Sequence, residues 1–528
     1  MLILQNISYS HPNKDLLFSH VNLAVNKHEK IALIGNNGTG KSTLLKIMAG
    51  QLPPSGGLLN AETAPFYIPQ NFGQFNHLTI AQALRIEDKL RALKEILDGN
   101  TSMEHFNLLN DDWTIEDRCR EAFQYWKLSE LDLSQKMETL SGGQKTKVFL
   151  AATSIHQPEL ILLDEPSNHL DYAARQDLYG FIQTTKSTLI VVSHDRKLLN
   201  LLDAVCELSQ QGIRKYGGNY HFYMEQKQIE NDALDQDIQS KTKALRKAKE
   251  KERETIERQQ KLDARGKGKQ EKAGVAKIMM NTLRNQAENS TSKLKAAHAA
   301  KIGGISEDLQ ALRDALPEID KMKLGFDQAS LHKGKILFSA NDINFSYGTQ
   351  LLWKKDQTFQ VVSGERIAIK GQNGSGKTSL IKLILGDMEP QKGTIYRAEN
   401  KSVYIDQDYS LIDHELKVYE QCQRFNTSAL QEHEIKIRLH RFLFTKDSWE
   451  KPCRALSGGE RMRLLLCCLT ISNQAPDIII LDEPTNNLDI QNVEMLTRAV
   501  NEYQGTLVVV SHDEIFLDQI HIKSVIEL

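Results

Sequence analysis

One ordered set of four short motifs occurs twice in this chain of 528 residues, and the repetition limits the fold more than any bulk property does. The first set reads Gly35-Asn36-Asn37-Gly38-Thr39-Gly40-Lys41-Ser42, Leu140-Ser141-Gly142-Gly143-Gln144, Leu163-Asp164-Glu165-Pro166 and Ser193-His194-Asp195. The second reads Gly371-Gln372-Asn373-Gly374-Ser375-Gly376-Lys377-Thr378, Leu456-Ser457-Gly458-Gly459-Glu460, Leu481-Asp482-Glu483-Pro484 and Ser511-His512-Asp513. Each set opens with a GxxxxGK[ST] loop, whose glycines let backbone N–H groups face phosphates. In each, a continuous apolar run enters the loop, the acidic pair and the Ser-His-Asp triplet: Ile31-Ala32-Leu33-Ile34, Leu160-Ile161-Leu162-Leu163 and Leu189-Ile190-Val191-Val192 in the first. Runs of this length suit strands covered by helices on both faces, so two α/β halves with parallel sheets are expected.

The spacing of the repeat sets the organisation. Lys41 and Lys377 stand 336 residues apart, but Ser141 and Ser457 only 316, so the first copy carries 20 more residues between loop and signature. Gln70 and Gln407 keep an offset of 337, which places the excess after Gln70. Residues 84–97 have helical spacing and Gly99-Asn100 marks a turn, so a small helical excursion is expected there. Between the copies, residues 223–319 change character and become rich in Lys, Arg, Glu, Gln and Ala. Leu234, Ile238 and Leu245, then Leu283, Ala287 and Leu294, then Ile305, Leu309, Leu312 and Leu316 follow helical spacing. Gly266 and Gly268 interrupt it. The expectation is two long antiparallel helices, a coiled-coil hairpin turning at those glycines, between domains at 1–222 and 320–528.

Charge is distributed unevenly along this plan. Residues 241–301 hold 18 Lys and Arg against 7 Asp and Glu, a net of +11, which leaves −13 for the rest of a chain at −2. A basic hairpin between acidic domains points to an extended polyanion. Few aromatics argue against a single-strand stacking platform, and a structured, backbone-rich RNA surface fits better. No apolar run reaches bilayer length, and the start lacks the basic region of a secretory signal. The six cysteines form no CxxC pair, so zinc and disulfide frameworks are not expected, and the cytoplasm is the expected compartment.

The motifs assign chemistry to individual residues. Lys41 and Lys377 would reach the β- and γ-phosphates of ATP, and Ser42 and Thr378 would ligate Mg2+. Thr43 and Ser379 follow in the helices whose positive ends add to the phosphate site. Asp164 and Asp482 are placed to hold the magnesium shell, and Glu165 and Glu483 to polarise the attacking water. Three consecutive residues cannot form a Ser-His-Asp hydrolase triad, so that reading of the triplets is rejected.

The LSGGQ and LSGGE motifs resemble the signature of the ATP-binding cassette family. The resemblance implies that Ser141, Gly142, Gly143 and Gln144 close over ATP on the opposite P-loop, as do Ser457, Gly458, Gly459 and Glu460. It extends to Gln70 and Gln407 as Q-loops beside the metal, and to His194 and His512 as switch histidines. Asn168-His169-Leu170-Asp171 and Asn486-Asn487-Leu488-Asp489 resemble D-loops, although the family usually has His at the place of Asn487. Tyr9 and Tyr347 occupy the place of the adenine-stacking aromatic, 32 and 30 residues before the P-loop lysines. The whole arrangement is similar to ABC-F proteins, twin cassettes joined by a helical linker that contacts the ribosome. Tyr216-Gly217-Gly218-Asn219-Tyr220 resembles that group's exit from the first cassette. No long extension follows the second motif set, so the family's C-terminal nucleic-acid-binding tail is not expected.

That resemblance implies an ATPase whose two cassettes pair within one monomer and whose hairpin meets rRNA and tRNA on the ribosome. Translation regulation and protection from peptidyl-transferase antibiotics both remain open. Two rivals make different predictions. A transporter's energising subunit would purify with membranes and has no need of a +11 hairpin. A DNA-repair ATPase would be stimulated by DNA and show little ribosome association.

Overall fold

The computed structural model describes residues 1–12, 15–100, 102–272, 277–315, 334–348, 351–372, 374–472, 474–486 and 488–528. The sequence-derived boundary at 319/320 lies outside them, as do Asn373 and Asn487. The chain clusters into two compact units, one formed by Met1–Tyr223 with Met322–Leu528 and the other by Met224–Lys321.

The first unit holds both α/β halves. In the first half, β1 (Leu2–Ser10), β2 (Leu16–Val25) and β4 (Gly56–Ala61) make an antiparallel sheet in the order β2-β1-β4. A second sheet runs β5-β6-β7-β3-β8-β9, with β3 at Lys30–Ile34, β5 at Phe66–Ile68, β6 at Leu160–Asp164, β7 at Thr188–Val192, β8 at Ala204–Ser209 and β9 at Gly212–Tyr216. Only the β8–β9 pair in it is antiparallel. The second half repeats the plan. An antiparallel sheet joins β10 (Ile336–Asn344), β11 (Gln357–Val362) and β13 (Lys392–Arg397). A parallel sheet runs β14-β15-β16-β12-β17, with β12 at Arg366–Lys370, β14 at Ser402–Ile405, β15 at Ile478–Asp482, β16 at Thr506–Val510 and β17 at Ser524–Glu527. Every residue of β6, β7 and β16 is buried, which is why these strands read as unbroken apolar runs.

This topology places the chemistry. The phosphate-loop strand β3 is separated from the acidic-pair strand β6 by β7, which ends at the histidine triplet. The same order, β12 then β16 then β15, recurs in the second half. Three motifs far apart in sequence thus meet at one carboxyl edge, where open α/β sheets bind ligands.

The excursion after Gln70 is larger than the expected helix. It contains the helices Glu87–Leu97 and Met103–Leu109, joined through Gly99 at φ 97°. Asp112 ties it down by accepting from Lys89 at 2.8 Å and from Arg118.

The second unit is dominated by two helices, Tyr220–Lys272 and Lys277–Ala315. Lys241 of the first pairs with Asp308 of the second at 2.5 Å. Half-buried positions alternate three and four apart at Leu234, Ile238, Lys241, Leu245, Ala248, Glu252, Thr255 and Gln259. That is the seam of a two-stranded coiled coil, with Leu309 buried on the facing helix. The expected turn at Gly266 and Gly268 is corrected: the first helix runs through both glycines to Lys272. A helical glycine is worse than alanine by only about 1 kcal/mol, too little to end a helix of this length. The side chains of Lys267, Lys269, Lys272, Leu283, Ala287 and Leu294 lie outside the described residues, as does Leu316.

Candidate active site

Each phosphate loop ends in a glycine that the geometry demands. Gly40 and Gly376 cap the helices Lys41–Met48 and Lys377–Leu385 in the left-handed region, at φ 94° and 93°. A Cβ on Gly40 would lie 2.6 Å from Leu17, and one on Gly376 2.5 Å from Leu352. Phe18 backs the first loop, and Trp353 donates from Nε1 to Ser375 O at 2.9 Å behind the second. Lys41 Nζ donates to Gly35 O at 2.7 Å and Asn36 O at 3.1 Å; Lys377 Nζ donates to Gly371 O at 2.9 Å and Gln372 O at 3.1 Å. Both ammonium groups therefore point back into their own loops, where the phosphates of a nucleotide would sit. Thr39 Oγ1 closes the first loop onto Asn36 O at 2.9 Å.

The acidic pairs follow β6 and β15. Ser42 Oγ donates to Asp164 Oδ1 at 3.1 Å, and Tyr67 OH to Asp164 Oδ2 at 3.1 Å. Tyr404 OH donates to Asp482 Oδ2 at 2.9 Å. Burial raises both aspartates, with these hydroxyl donors opposing it. A hydroxyl and a carboxylate meeting at the start of the phosphate-loop helix fit Mg2+, which when bound would neutralise phosphate charge.

Glu165 and Glu483 have φ of 51° and 49°, the left-handed region that non-glycine residues avoid. The strain is held by the neighbouring strand: Glu165 N donates to Val192 O and Glu483 N to Val510 O, each at 2.8 Å. His194 Nε2 lies 3.1 Å from Glu165 Oε1, and His512 Nε2 lies 3.2 Å from Glu483 Oε1. Alignment in these pairs is poor, and Glu165 Oε1, Glu483 Oε2 and His194 Nδ1 are buried without hydrogen-bond partners. Such atoms suit a water and a γ-phosphate bound between them. Burial pushes Glu483 up to about 7, with Arg175 and Lys377 opposing, and raises Glu165 against the pull of Lys41. Burial holds His194 down at about 3 and His512 at about 4, so both imidazoles are neutral.

The signature serines cap the helices Gly142–His156 and Gly458–Ile471. Ser141 N donates to Gln144 Oε1 at 2.9 Å, and Ser457 N to Glu460 Oε2 at 2.8 Å. The side chains of Gln144 and Glu460 are thus engaged in capping boxes rather than aimed at a nucleotide. Gly142 and Gly143 open their helix with N–H groups that have no intrahelical partner. They line a cavity of about 630 Å3 together with Ser141, Tyr347, Gly374, Lys377, Thr378, Ser379, Gln407, Asp482, Glu483 and His512. The signature of the first half therefore faces the phosphate loop of the second. A Cβ on Gly143 would sit 2.8 Å from His169 O.

Toward the other phosphate loop, Asn37 N donates to Asp489 Oδ2 at 2.9 Å, bringing the second D-loop onto it. Lys197 and Glu514 pair at 3.0 Å, and Arg196 Nη1 donates to Gln519 Oε1 at 2.9 Å, between the same halves. Tyr347 is exposed and its hydroxyl lies 3.0 Å from Ser379 Oγ, whereas the ring of Tyr9 packs against His11 and Phe18. Gln70 and Thr43 sit in the first half, exposed and half-buried respectively, and Gly458 and Gly459 open the second signature helix. Sequence reasoning missed Tyr67, Tyr404 and Arg175. The tyrosines were findable, because each stands three residues before Gln70 or Gln407.

A family model described as ABC transporter matches residues 18–168 and 354–486. The ATP-binding protein Uup of Haemophilus influenzae is 30% identical over 535 residues, 95% of this chain and 75% of that protein. ABC transporter F family member 5 of Arabidopsis thaliana is 30% identical over 562 residues, 99% of this chain and 74% of that protein. Among solved structures, the archaeal ribosome recycling factor aABCE1, in complex with stalk protein aP1, shares the fold. Its TM-score is 0.61 at 20% identity, over 98% of this chain and 86% of that one. Matched in both cassettes and aligned with F-type relatives along nearly its whole length, this chain belongs to the ABC-F group of ATP-binding cassette ATPases.

Proposed function

We propose that this ATPase acts on the ribosome in the cytoplasm as a monomer, pairing its two cassettes around two Mg2+-ATP. Closure sets the position of the helical hairpin, which enters a site lined by rRNA near the tRNAs, and hydrolysis releases it. The observation that carries the reading is the hairpin itself. Helices of 53 and 39 residues, bearing most of a +11 stretch, interrupt a chain whose two halves otherwise share one compact unit. An energising subunit for a membrane partner has no use for such an insertion, and no helix among the described residues is long and apolar enough to cross a membrane. Regulation of translation and protection from antibiotics at the peptidyl-transferase region both use this action.

Glu165 and Glu483 serve as the groups that take the proton of the attacking water, with Lys41 and Lys377 on the phosphates. The test is a Glu165→Gln/Glu483→Gln variant incubated with ATP and ribosomes. Turnover collapses, ATP stays bound and the variant pellets with ribosomes, whereas wild type with ADP does not. Failure to pellet, with ATPase activity stimulated by DNA instead, would replace this reading with the DNA-repair one.

A further inference from the structure

We propose that Arg175, carried by the first cassette, is a positioning residue for hydrolysis at the second cassette's phosphate loop, so that the two ATP sites turn over unequally. The inference rests on the roles given above to Glu165 and Glu483.

Arg175 lies on the helix Tyr172–Thr184, four residues after its cap, Asp171. Its Nε donates to Leu170 O at 3.2 Å, which tethers the guanidinium beside the D-loop. From there it lines the cavity that also holds Lys377, Glu483, His512 and the signature residue Ser141. The other half has no equivalent. Four residues after the matching cap, Asp489, stands Val493, 3% exposed and uncharged. Both D-loops approach the opposite phosphate loop, yet only the first brings a cation at this position.

That cation has a definite effect on the reaction. Water oxygen bonds to the γ-phosphorus as the bond to the β–γ bridging oxygen breaks, and the water's proton passes to the glutamate, giving ADP and phosphate. The tethered guanidinium shares the cavity of Lys377, Glu483 and His512, where the γ-phosphate and the attacking water would lie, whereas the second half offers only the buried, uncharged Val493 at the matching place. A fixed positive charge poised where negative charge moves is worth most in a buried, preorganised site.

The full chain supplies the test. Glu165→Gln confines hydrolysis to the second site and Glu483→Gln to the first. Arg175→Gln and Arg175→Lys are placed in each background, and single-turnover ATP hydrolysis is followed. Arg175→Gln should lower the rate roughly tenfold in the Glu165→Gln background, about 1.4 kcal/mol in barrier. The loss should be several-fold smaller in the Glu483→Gln background. In the first background Arg175→Lys restores most of the rate. Equal losses in both backgrounds, or no loss in the Glu165→Gln background, overturn the proposal. Melting temperature and ATP binding separate either result from misfolding, and the lysine variant keeps the test alive if glutamine unfolds the chain. Residual turnover in the double glutamine variant with Arg175 intact would strike the assignment of the glutamates instead.

Discussion

At Glu483 a backbone strained into the left-handed region delivers a carboxylate whose Oε2 is buried without a hydrogen-bond partner. Two costs, conformational and electrostatic, are accepted at one residue, in keeping with the proton-accepting role proposed for it. The electrostatic part has a sign that can be measured. Burial raises Glu483 from 4.5 to about 7, so the nucleotide-free fold is favoured by the protonated form. That contribution is complete below about pH 4.5 and is lost as pH rises through about 7. Glutamine stays neutral throughout. Glu483→Gln should therefore match wild type in melting temperature at the acidic end of a series from pH 5 to 8.5. Its advantage should grow between about pH 5 and 7 and level off above, at roughly 3 kcal/mol. A gap that does not change with pH would mean that Glu483 is ionised at no cost in the folded state.

Among the elements, the hairpin follows different rules from the cassettes. Its seam is shallow: many of its contact positions are Lys, Ala, Glu, Thr or Gln and only half-buried, so its stability leans on a few apolar residues. Leu309 is the clearest of these. Leu309→Ala should cost about 2 kcal/mol locally, the low end for a buried leucine because a two-helix seam can partly collapse. Hydrogen exchange in residues 224–315 should accelerate while the sheet strands keep their protection. Charge is the hairpin's other property. Changing Arg265, Lys267, Lys269 and Lys272 to Gln should weaken ribosome pelleting and flatten its salt dependence, since each lost phosphate contact removes a counterion-release step. ATP turnover without ribosomes should stay within about twofold. Unchanged pelleting across a salt series would reduce these residues to solubilising charge.

For the whole molecule, the arrangement that matters is crossed: each half brings a D-loop to the other's phosphate loop, and the first half brings its signature to the second's. Gly142→Asp would place a carboxylate beside the phosphates held by Lys377 and crowd the ring of His169, 3.3 Å from the site of a Cβ. Nucleotide trapping should then fail at the second phosphate loop while the first still traps. A defect confined to the first loop would contradict the crossed arrangement. Among the cross-half contacts, Lys197–Glu514 is partly exposed, and exposed pairs of this kind contribute only about 0–1 kcal/mol.

The sequence alone determined what depends on neighbouring residues. The phosphate loops, the acidic pairs and the capped signature helices are each a short run whose chemistry is local, and β6 and β7 announced their burial through the apolar runs Leu160–Leu163 and Leu189–Val192. The seam positions Leu234, Ile238 and Leu245 were legible for the same reason, as a period along one helix. Tertiary structure decided whatever depends on distance through space. Asn37 and Asp489 are 452 residues apart, and no local pattern foretells that one donates to the other. Arg175 reads as an ordinary helix residue until the second half is folded against it. The turn of the hairpin was misplaced because glycine is a weak breaker, and the helix runs on through Gly266 and Gly268 to Lys272. Local propensity proposes elements, but partners supplied from the other end of the chain decide where those elements stop and what their side chains meet.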